Sequence, residues 1–449
     1  MVARDRAQFS CGFQRLASRL YALRGSLGRP SNANAAARSA DLLAKAARLE
    51  YRLTGASPYD RQLEGIMRPW EPRGFDWGAF FPGSCGTMVR TTIILKKPQS
   101  LHEKGVLFTA AEPEWILLLR RANVAALARD YDIVISPTWS PPQDLPTLVA
   151  LRQWPNQIFT LCSNFADIPA FRRMSAKLRP IPLLASSWVD PRLCMPDGGA
   201  PPEKEFDIAM LASFGSYKRH FAFFAALAKM RPQTRAVLMG RPWGGRTTET
   251  LAAEAGLFGV RDRITIRAQL SDFDMFHTLR SSKVSVITTL LEGSCVAVVE
   301  SMFADVPVGL LAGARIGSAA YVNDQTGRFL RAERLSQDLD DFVDNHAHYR
   351  PREWAMSGGI DCWASSNILN WHLRQAAAER GSPWTQDIAP MHWRPKGQYL
   401  RQEDRDAILP EYESFESRYG VRLDIPRCGA SEKRAGPVRQ TAEPTPVAR

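Results

Sequence analysis

The sequence predicts an α/β protein built from two doubly wound domains in series, and three observations predict it. Strand-like apolar runs alternate with helical runs twice over, first from Met88 and again from Phe206. A stretch rich in Pro, Gly and charge, Pro196 to Glu205, separates the two sets. Helical texture without strands brackets them, as extra helices at both ends.

Taken in order, residues 1–55 read as a basic helical extension, in which SNANAAARSADLLAKAARLEYRL is Ala-rich after a Gly-Arg-Pro break. The N-terminal domain is expected over 56–200. It begins irregularly, with WEPRGFDWGAFFPGSCG as a loop. MVRTTIILKK and GVLFTA follow as strands, and WILLLRRANVAALARD as a helix. DIVISPTW, QIFTLCSNF and IPLLASSW are the next strands. The second domain is expected over 201–332. Its strands are FDIAMLASF, RAVLMG, RITIRAQ, KVSVITT and PVGLLAG; its helices include KRHFAFFAALAKM and SDFDMFHTLRSS. Ligands of such sheets sit beyond the carboxyl ends of the strands, so a cleft between the domains is expected. Residues 333–425 are mainly helical and carry Trp354, Trp363, Trp371, Trp384 and Trp393, as helices bracing both domains would. The tail, 426–449, has the Pro, Ala and charge bias of disorder.

Composition narrows the class. The 449 residues are 45% apolar and 23% charged, enough to bury a sizeable core. No apolar run is long enough to span a bilayer and the start lacks a secretory pattern, so a cytoplasmic location is expected. The seven cysteines are scattered and include no CxxC, which argues against a zinc site or a disulfide framework. Net charge is +12, and residues 1–52 hold ten basic against three acidic side chains, a net +7. Phe9, Phe13, Leu16 and Leu20 fall at helical spacing in that segment. Such a helix, within residues 1–25, fits an anionic membrane surface. It also fits a solvated helix that packs its apolar stripe on its own domain, and both readings stay open. Nucleic acid is not expected, because no stripe of interleaved aromatic and basic residues accompanies the charge.

The chemistry concentrates at two strand ends of the second domain. KVSVITT runs into a turn holding Glu292, Gly293 and Ser294, and a helix follows from Cys295 and Val296. A helix start favours an anion; Gly293 permits close backbone approach, and Ser294 suits a cap. Glu292 and Glu300 suit accepting hydrogen bonds from hydroxyls, as on sugars. Positive charge for a phosphate comes from SFGSYKRH, where Lys218, Arg219 and His220 fall at a strand-to-helix turn. Taken singly, Lys218 reads as a solvated lysine and Glu300 as a partly exposed helix position. Together, on matching edges of one sheet, they read as a site. Asp272-Phe273-Asp274 matches a metal-binding DxD pattern, but its place after Ser271 at a helix start favours capping.

The pair Glu292–x7–Glu300, with Gly293 and Pro307, resembles the signature of retaining GT-B glycosyltransferases, especially family 4 (group 1 glycosyltransferases). The resemblance runs from about Phe206 to Leu330 and includes Lys218, Gly240 and the NDQTGRFL turn. It implies two facing Rossmann-like domains of GT-B architecture, the C-terminal one holding a nucleotide-diphosphate sugar such as a UDP- or GDP-sugar. By that resemblance Glu300 holds the ribose and Glu292 the donor sugar hydroxyls. Lys218, with backbone from Gly293 to Val296, holds the diphosphate, and Arg267 to Leu270 lie beside the base. It further implies a retaining transfer to a glycan or lipid-linked glycan acceptor, as in polysaccharide biosynthesis, with no metal and no cofactor beyond the donor. Lys218 and Glu292 would be catalytic; Ser213, Arg219, Gly293, Ser294, Cys295, Val296 and Glu300 would bind the donor. One departure is Ser213, which stands where the family usually has Arg; Arg219 can substitute. Thr138, Trp139, Ser163, Asn164 and Asp167 are the acceptor-side candidates. Two other functions fit the same residues: a nucleotide-sugar epimerase of this fold, which needs no acceptor, and a non-catalytic basic binding protein, which would survive loss of Lys218 or Glu300.

Overall fold

The computed structural model describes residues 10–28, 30–54, 58–69, 86, 88–138, 142, 144–195, 202–394 and 396–428. Phe9, Cys85, Trp139, residues 70–85, Pro196 and the chain after Cys428 lie outside the described residues. The described chain forms two compact units: one runs to Ala185 and resumes at Ser366, and the other spans Ser186–Ser365.

The first unit opens with helices α1 (Cys11–Ser26), α2 (Ala33–Thr54) and α3 (Asp60–Met67). Helix α1 packs on α2 through small residues: Ser18, Ala22 and Gly25 are its buried positions. A Cβ on Gly25 would meet the Leu43 side chain at 2.9 Å, so the two helices touch closely there. The strands follow: β1 (Met88–Val89), β2 (Thr92–Lys96), β3 (Gly105–Ala110), β4 (Tyr131–Ser136), β5 (Ile158–Cys162) and β6 (Leu178–Leu184). The five-stranded sheet runs β2-β3-β4-β5-β6, in strict chain order, with β3 to β6 parallel and β2 antiparallel to β3. The antiparallel start has a simple cause. The link from Lys96 to Gly105 holds no helix, and a parallel return needs a crossover. The crossovers are α4 (Glu112–Arg121) with α5 (Val124–Asp130), then α6 (Leu145–Gln153), then α7 (Ile168–Met174). The single helix expected over WILLLRRANVAALARD is therefore two. Asn123 breaks it, its side chain accepting from Ala126 N as the cap of α5.

The second unit is wound in both directions. Its strands are β7 (Phe206–Leu211), β8 (Ala236–Gly240), β9 (Ile264–Ala268), β10 (Ser282–Ile287), β11 (Val308–Leu311) and β12 (Gly327–Leu330). All are parallel, in the order β12-β11-β10-β7-β8-β9. That is the Rossmann order, with the direction of winding reversing between β7 and β10. Helices α8 (His220–Leu227), α9 (Thr248–Leu257), α10 (Asp272–Arg280), α11 (Val296–Phe303), α12 (Leu335–Asp344) and α13 (Pro351–Ser357) complete it. One core cluster joins Phe223, Phe224 and Leu227 of α8, Leu251 of α9 and Leu339 and Phe342 of α12 to Ile208, Leu238, Val284 and Val286 of the sheet. Gly240 ends β8 where a Cβ would lie 1.9 Å from Ala212 O, so glycine is required for the strand end to close on the loop after β7.

The chain then returns to the first unit along α14 (Cys362–Glu379), β13 (Met391–Trp393), β14 (Gly397–Tyr399), α15 (Gln402–Tyr419) and β15 (Arg422–Leu423). Tyr412 Oη accepts from Ile94 N at 2.8 Å, and Tyr399 Oη donates to Ile94 O at 2.6 Å. These bonds tie the return segment to β2.

Three boundaries differ from the sequence expectation. The units divide at Ala185/Ser186, not at residue 200. The segment after β6 is held by the second unit: Ser187 Oγ pairs with Tyr321 Oη at 2.8 Å, and Cys362 N donates to Val189 O. The 333–425 block is split, with α12 and α13 in the second unit and the chain from Ser366 in the first. Residues 426–428, expected in the tail, are structured: Tyr399 N bonds Arg427 O, and Cys428 forms a backbone β-bridge with Tyr399.

Candidate functional site

The site sits at the switch point of the second unit, where the loops after β7 and β10 meet. After β7 the chain makes a tight turn, Ser216–Lys218, and enters α8 through Arg219 in the left-handed region, φ 56°. Gly215 lets the Tyr217 and Trp243 rings close over the turn, since a Cβ would lie 2.5 Å from the first and 2.9 Å from the second and would push them aside. Thr288, just past β10, clamps this turn: its Oγ1 donates to Lys218 O at 2.8 Å. Arg219 Nη1 donates back to Thr288 O at 3.2 Å. The two strand ends are thereby locked across the reversal.

Lys218 and Glu292, expected as the catalytic pair, form an ion pair between these loops, Nζ to Oε1. Both Lys218 and the neighbouring Cys295 are buried. Burial works against the Lys218 ammonium, but the Glu292 carboxylate beside it outweighs burial and holds its pKa above the ordinary lysine range. Burial, then Glu292, pushes the Cys295 thiol up, so it stays protonated. The second carboxylate oxygen, Glu292 Oε2, is buried and has no hydrogen-bond partner among the described residues. So does Thr289 Oγ1 at the same strand end. An unpaired buried acceptor costs about 1–3 kcal/mol, and a ligand hydroxyl donating to it would recover that cost.

The loop bearing Glu292 is held from its carbonyl side. Gly293 O accepts from Gly317 N at 2.7 Å, and Ser294 O from Ser318 N at 3.1 Å. Ser318 Oγ also bonds Ser294 O and Cys295 O. Helix α11 starts at Val296 behind Cys295, whose φ of 55° is left-handed. This corrects one expectation: Ser294 is not the cap. The cap position falls one residue later, in a conformation that aims no side chain at the first turn, while Ser294 is buried with its carbonyl taken. The first N–H groups of α11 have no partner within the helix, as at any helix start. This is the anion-binding arrangement of a helix start. Glu300 lies in the second turn of α11 and is only 9% exposed, not on a partly exposed edge.

The remaining expected residues are placed as follows. Ser213 Oγ lies 3.1 Å from Tyr217 Oη, at the mouth of the turn. Arg267 is committed to Thr278 Oγ1 at 2.6 Å and to the Phe206 ring, while Gln269 turns left-handed after β9. His220 packs against Phe214 and Phe224, and burial first, with Arg246 and Lys218 adding, pushes it down to about 3. It is a neutral packing residue. Ser271 caps α10, accepting from Asp274 N at 3.1 Å and donating to Asp274 Oδ2 at 2.6 Å. The DxD acids therefore belong to a helix start. Sequence reasoning missed Thr288, whose signal was a polar pair directly after an apolar strand. It also missed Ser318, Tyr217 and Trp243, for which the sequence offered no signal.

In the first unit the acceptor-side candidates are absorbed into structure. Thr138 bonds Glu112 through N and Oγ1, and Ser163 Oγ donates to Pro137 O. Asn164 and Asp167 form a capping box, and Tyr51 Oη donates to Asp167 at 2.8 Å. Burial pushes Asp167 up to about 6, against the lowering effect of the Tyr51 and Asn164 bonds.

Residues 196–349 match the family described as Glycosyl transferases group 1. The chain carries a group 1 glycosyltransferase domain. The match covers every strand of the second unit and both loops of the switch point. No curated protein matches this chain by sequence. Among solved structures, a sucrose-phosphate synthase from Thermosynechococcus elongatus is similar at TM-score 0.48 and 16% identity, over 61% of this chain and 74% of that one. HepE from Anabaena, solved with UDP and glucose, is similar at TM-score 0.45 and 14% identity, over 62% and 79%. A glycosyltransferase from Rickettsia africae is similar at TM-score 0.45 and 14% identity, over 61% and 76%.

Proposed function

We propose that this glycosyltransferase moves a sugar from a nucleotide-diphosphate sugar, such as a UDP- or GDP-sugar, to a glycan or lipid-linked glycan acceptor. The observation that carries this reading is the Lys218–Glu292 pair at the strand-order reversal, with Glu292 Oε2 left without a hydrogen-bond partner among the described residues. In this reading the diphosphate lies against the N–H groups of Gly293, Cys295 and Val296 and takes the Lys218 ammonium as its counter-charge. Glu292 then turns its acceptor oxygens to the hydroxyls of the donor sugar, and Glu300 holds the ribose. The charge that develops on the departing diphosphate is met by groups already in place, which is the form of catalysis that needs least rearrangement. Lys218 and the helix start supply that charge without a metal ion. Retention of the anomeric configuration belongs to the same reading. A lipid-linked acceptor is favoured over a soluble one by the basic N-terminal helix.

The test is a thermal-shift screen of the full chain against UDP-, GDP-, ADP- and dTDP-sugars. A bound donor at about 100 times its Kd stabilises the fold by about 2.7 kcal/mol. One class of donor should raise the Tm, and Lys218→Ala should abolish that shift. No shift with any donor would overturn the assignment. Turnover of the donor with no acceptor present would replace transfer by epimerisation.

A further inference from the structure

We infer that the outward face of α1 is a docking surface for an anionic lipid membrane. The helix has two apolar aspects, and only one is used by the fold. Its inward face is made of small groups: Ser18 Oγ donates to Ala46 O at 3.3 Å, and Ala22 and Gly25 lie against α2. The large apolar side chains point the other way. Phe13, Leu16, Leu20, Leu23 and Leu27 are 51–69% exposed. At 100° per residue these five fall within one narrow stripe on the side of the helix opposite Ser18, Ala22 and Gly25. Of the two readings the sequence left open, packing of the stripe on its own domain is not what the described residues show.

Charge identifies the occupant. Arg15 and Arg19 flank the stripe on one side and Arg24 on the other, all exposed, and the helix contains no Asp or Glu. A second copy of the chain docked stripe to stripe would bring six arginines together with no acid from either helix to offset them. An anionic headgroup layer is complementary to the same pattern. Leucine and phenylalanine enter the acyl boundary, while the arginines reach sideways to phosphates. The helix then lies in the interface plane and does not cross it. No helix among the described residues is long and apolar enough to do so.

The experiment is co-flotation of the full chain with phosphatidylcholine vesicles, with and without phosphatidylglycerol, at low and high salt. The chain should float with phosphatidylglycerol vesicles, weakly with phosphatidylcholine alone, and less at high salt. Leu16→Gln with Leu20→Gln should cut partitioning by about tenfold or more. Arg15→Gln with Arg19→Gln should cut it by a similar factor on anionic vesicles only. Because these side chains are exposed, the variants should keep the parent Tm and the parent donor-induced thermal shift, so failure here leaves the transfer reading standing. Absence of binding to anionic vesicles, or binding that survives the leucine substitutions, would overturn the inference. So would a dimer in solution that those substitutions convert to monomer.

Discussion

The two units each bury a Lys–Glu ion pair, and the pairs differ in what is left over. In the first unit Lys96 Nζ meets Glu103 Oε1 at 2.6 Å, with side chains 0% and 3% exposed. Every acceptor there is used: Glu103 Oε1 also takes Thr385 N at 2.7 Å, Oε2 takes Thr385 Oγ1 at 2.8 Å, and the ammonium lies 3.5 Å from the centre of the Trp384 ring. In the second unit Lys218 and Glu292 are 8% and 19% exposed, and Oε2 of Glu292 has no hydrogen-bond partner among the described residues. Burial and pairing are shared; satisfaction is not. A closed pair fixes a strand edge to a returning segment. An open pair, in the proposed reading, holds charge in place for the donor. The same rule sorts the acids at strand ends, since Asp167 is spent on a cap and a tyrosine while Glu292 keeps an oxygen free.

The largest test of this contrast is Lys218→Ala. It should lower kcat/KM for transfer by about 10³-fold, the scale on which a lost electrostatic group acts in a preorganised site, while far-UV circular dichroism stays native. Transfer within tenfold of the parent would break the assignment of the open pair as the working one. The matched change, Lys96→Ala, should do the reverse. It strands Glu103 as an uncompensated buried charge and should lower stability in urea by about 3–5 kcal/mol. The donor Kd of the folded protein should not move. If Lys96→Ala weakened donor binding as much as Lys218→Ala, the two pairs would not differ in kind.

How much of this was legible beforehand depended on whether the signal was local. The strands of both units read directly from β-rich apolar runs, because the backbone period and the burial pattern agree there. Lys218, Glu292 and Glu300 could be picked out because a turn, a glycine and a charge occur within a few residues. Their pairing could be guessed only from the strand order that the alternation implies. What stayed hidden depends on distant partners. Ser294 looked like a cap, yet its carbonyl is claimed by Ser318, and nothing in either segment announces the other. Asp167 looked like an acceptor-side acid until Tyr51, more than a hundred positions earlier, took it. The boundary near residue 200 was misplaced because composition marks a linker, whereas the unit edge is set by Ser187 and Val189 bonding to residues far along the chain. Whether α1 turned its leucines in or out was undecidable from periodicity, since either face satisfies the same pattern.

The closed pair also predicts a pH response. Burial alone would raise Glu103, but the bonds from Lys96 and Thr385 outweigh it and bring it down to about 2 from an ordinary 4.5. A depressed carboxyl binds fewer protons folded than unfolded. Its contribution is therefore present above about pH 4.5 and is lost as pH falls towards about 2. Denaturant titrations across that window should show an acid limb that Glu103→Gln flattens. Asp167, pushed up to about 6, acts with the opposite sign, losing stability as pH rises from about 4 to about 6. The difference between parent and Gln variant isolates Glu103 from it. An unchanged acid limb would mean that Glu103 gains nothing from its partners.

The smallest expected effect falls on the frame around the open pair. Ser318 is fully buried, and its hydroxyl serves two carbonyls of the Glu292 loop, those of Ser294 and Cys295. Ser318→Ala removes both bonds but keeps the backbone bond from Ser318 N to Ser294 O. Two weakened acceptors and one lost donor should cost about 1 kcal/mol of stability. If the loop is held from its carbonyl side so that its N–H groups stand ready, donor affinity should fall as well, by about three- to tenfold in a thermal-shift titration. A stability loss with no change in donor Kd would place Ser318 with the closed pair, as a structural tie. A loss of both would show that the openness of the Lys218–Glu292 pair depends on a loop held from behind.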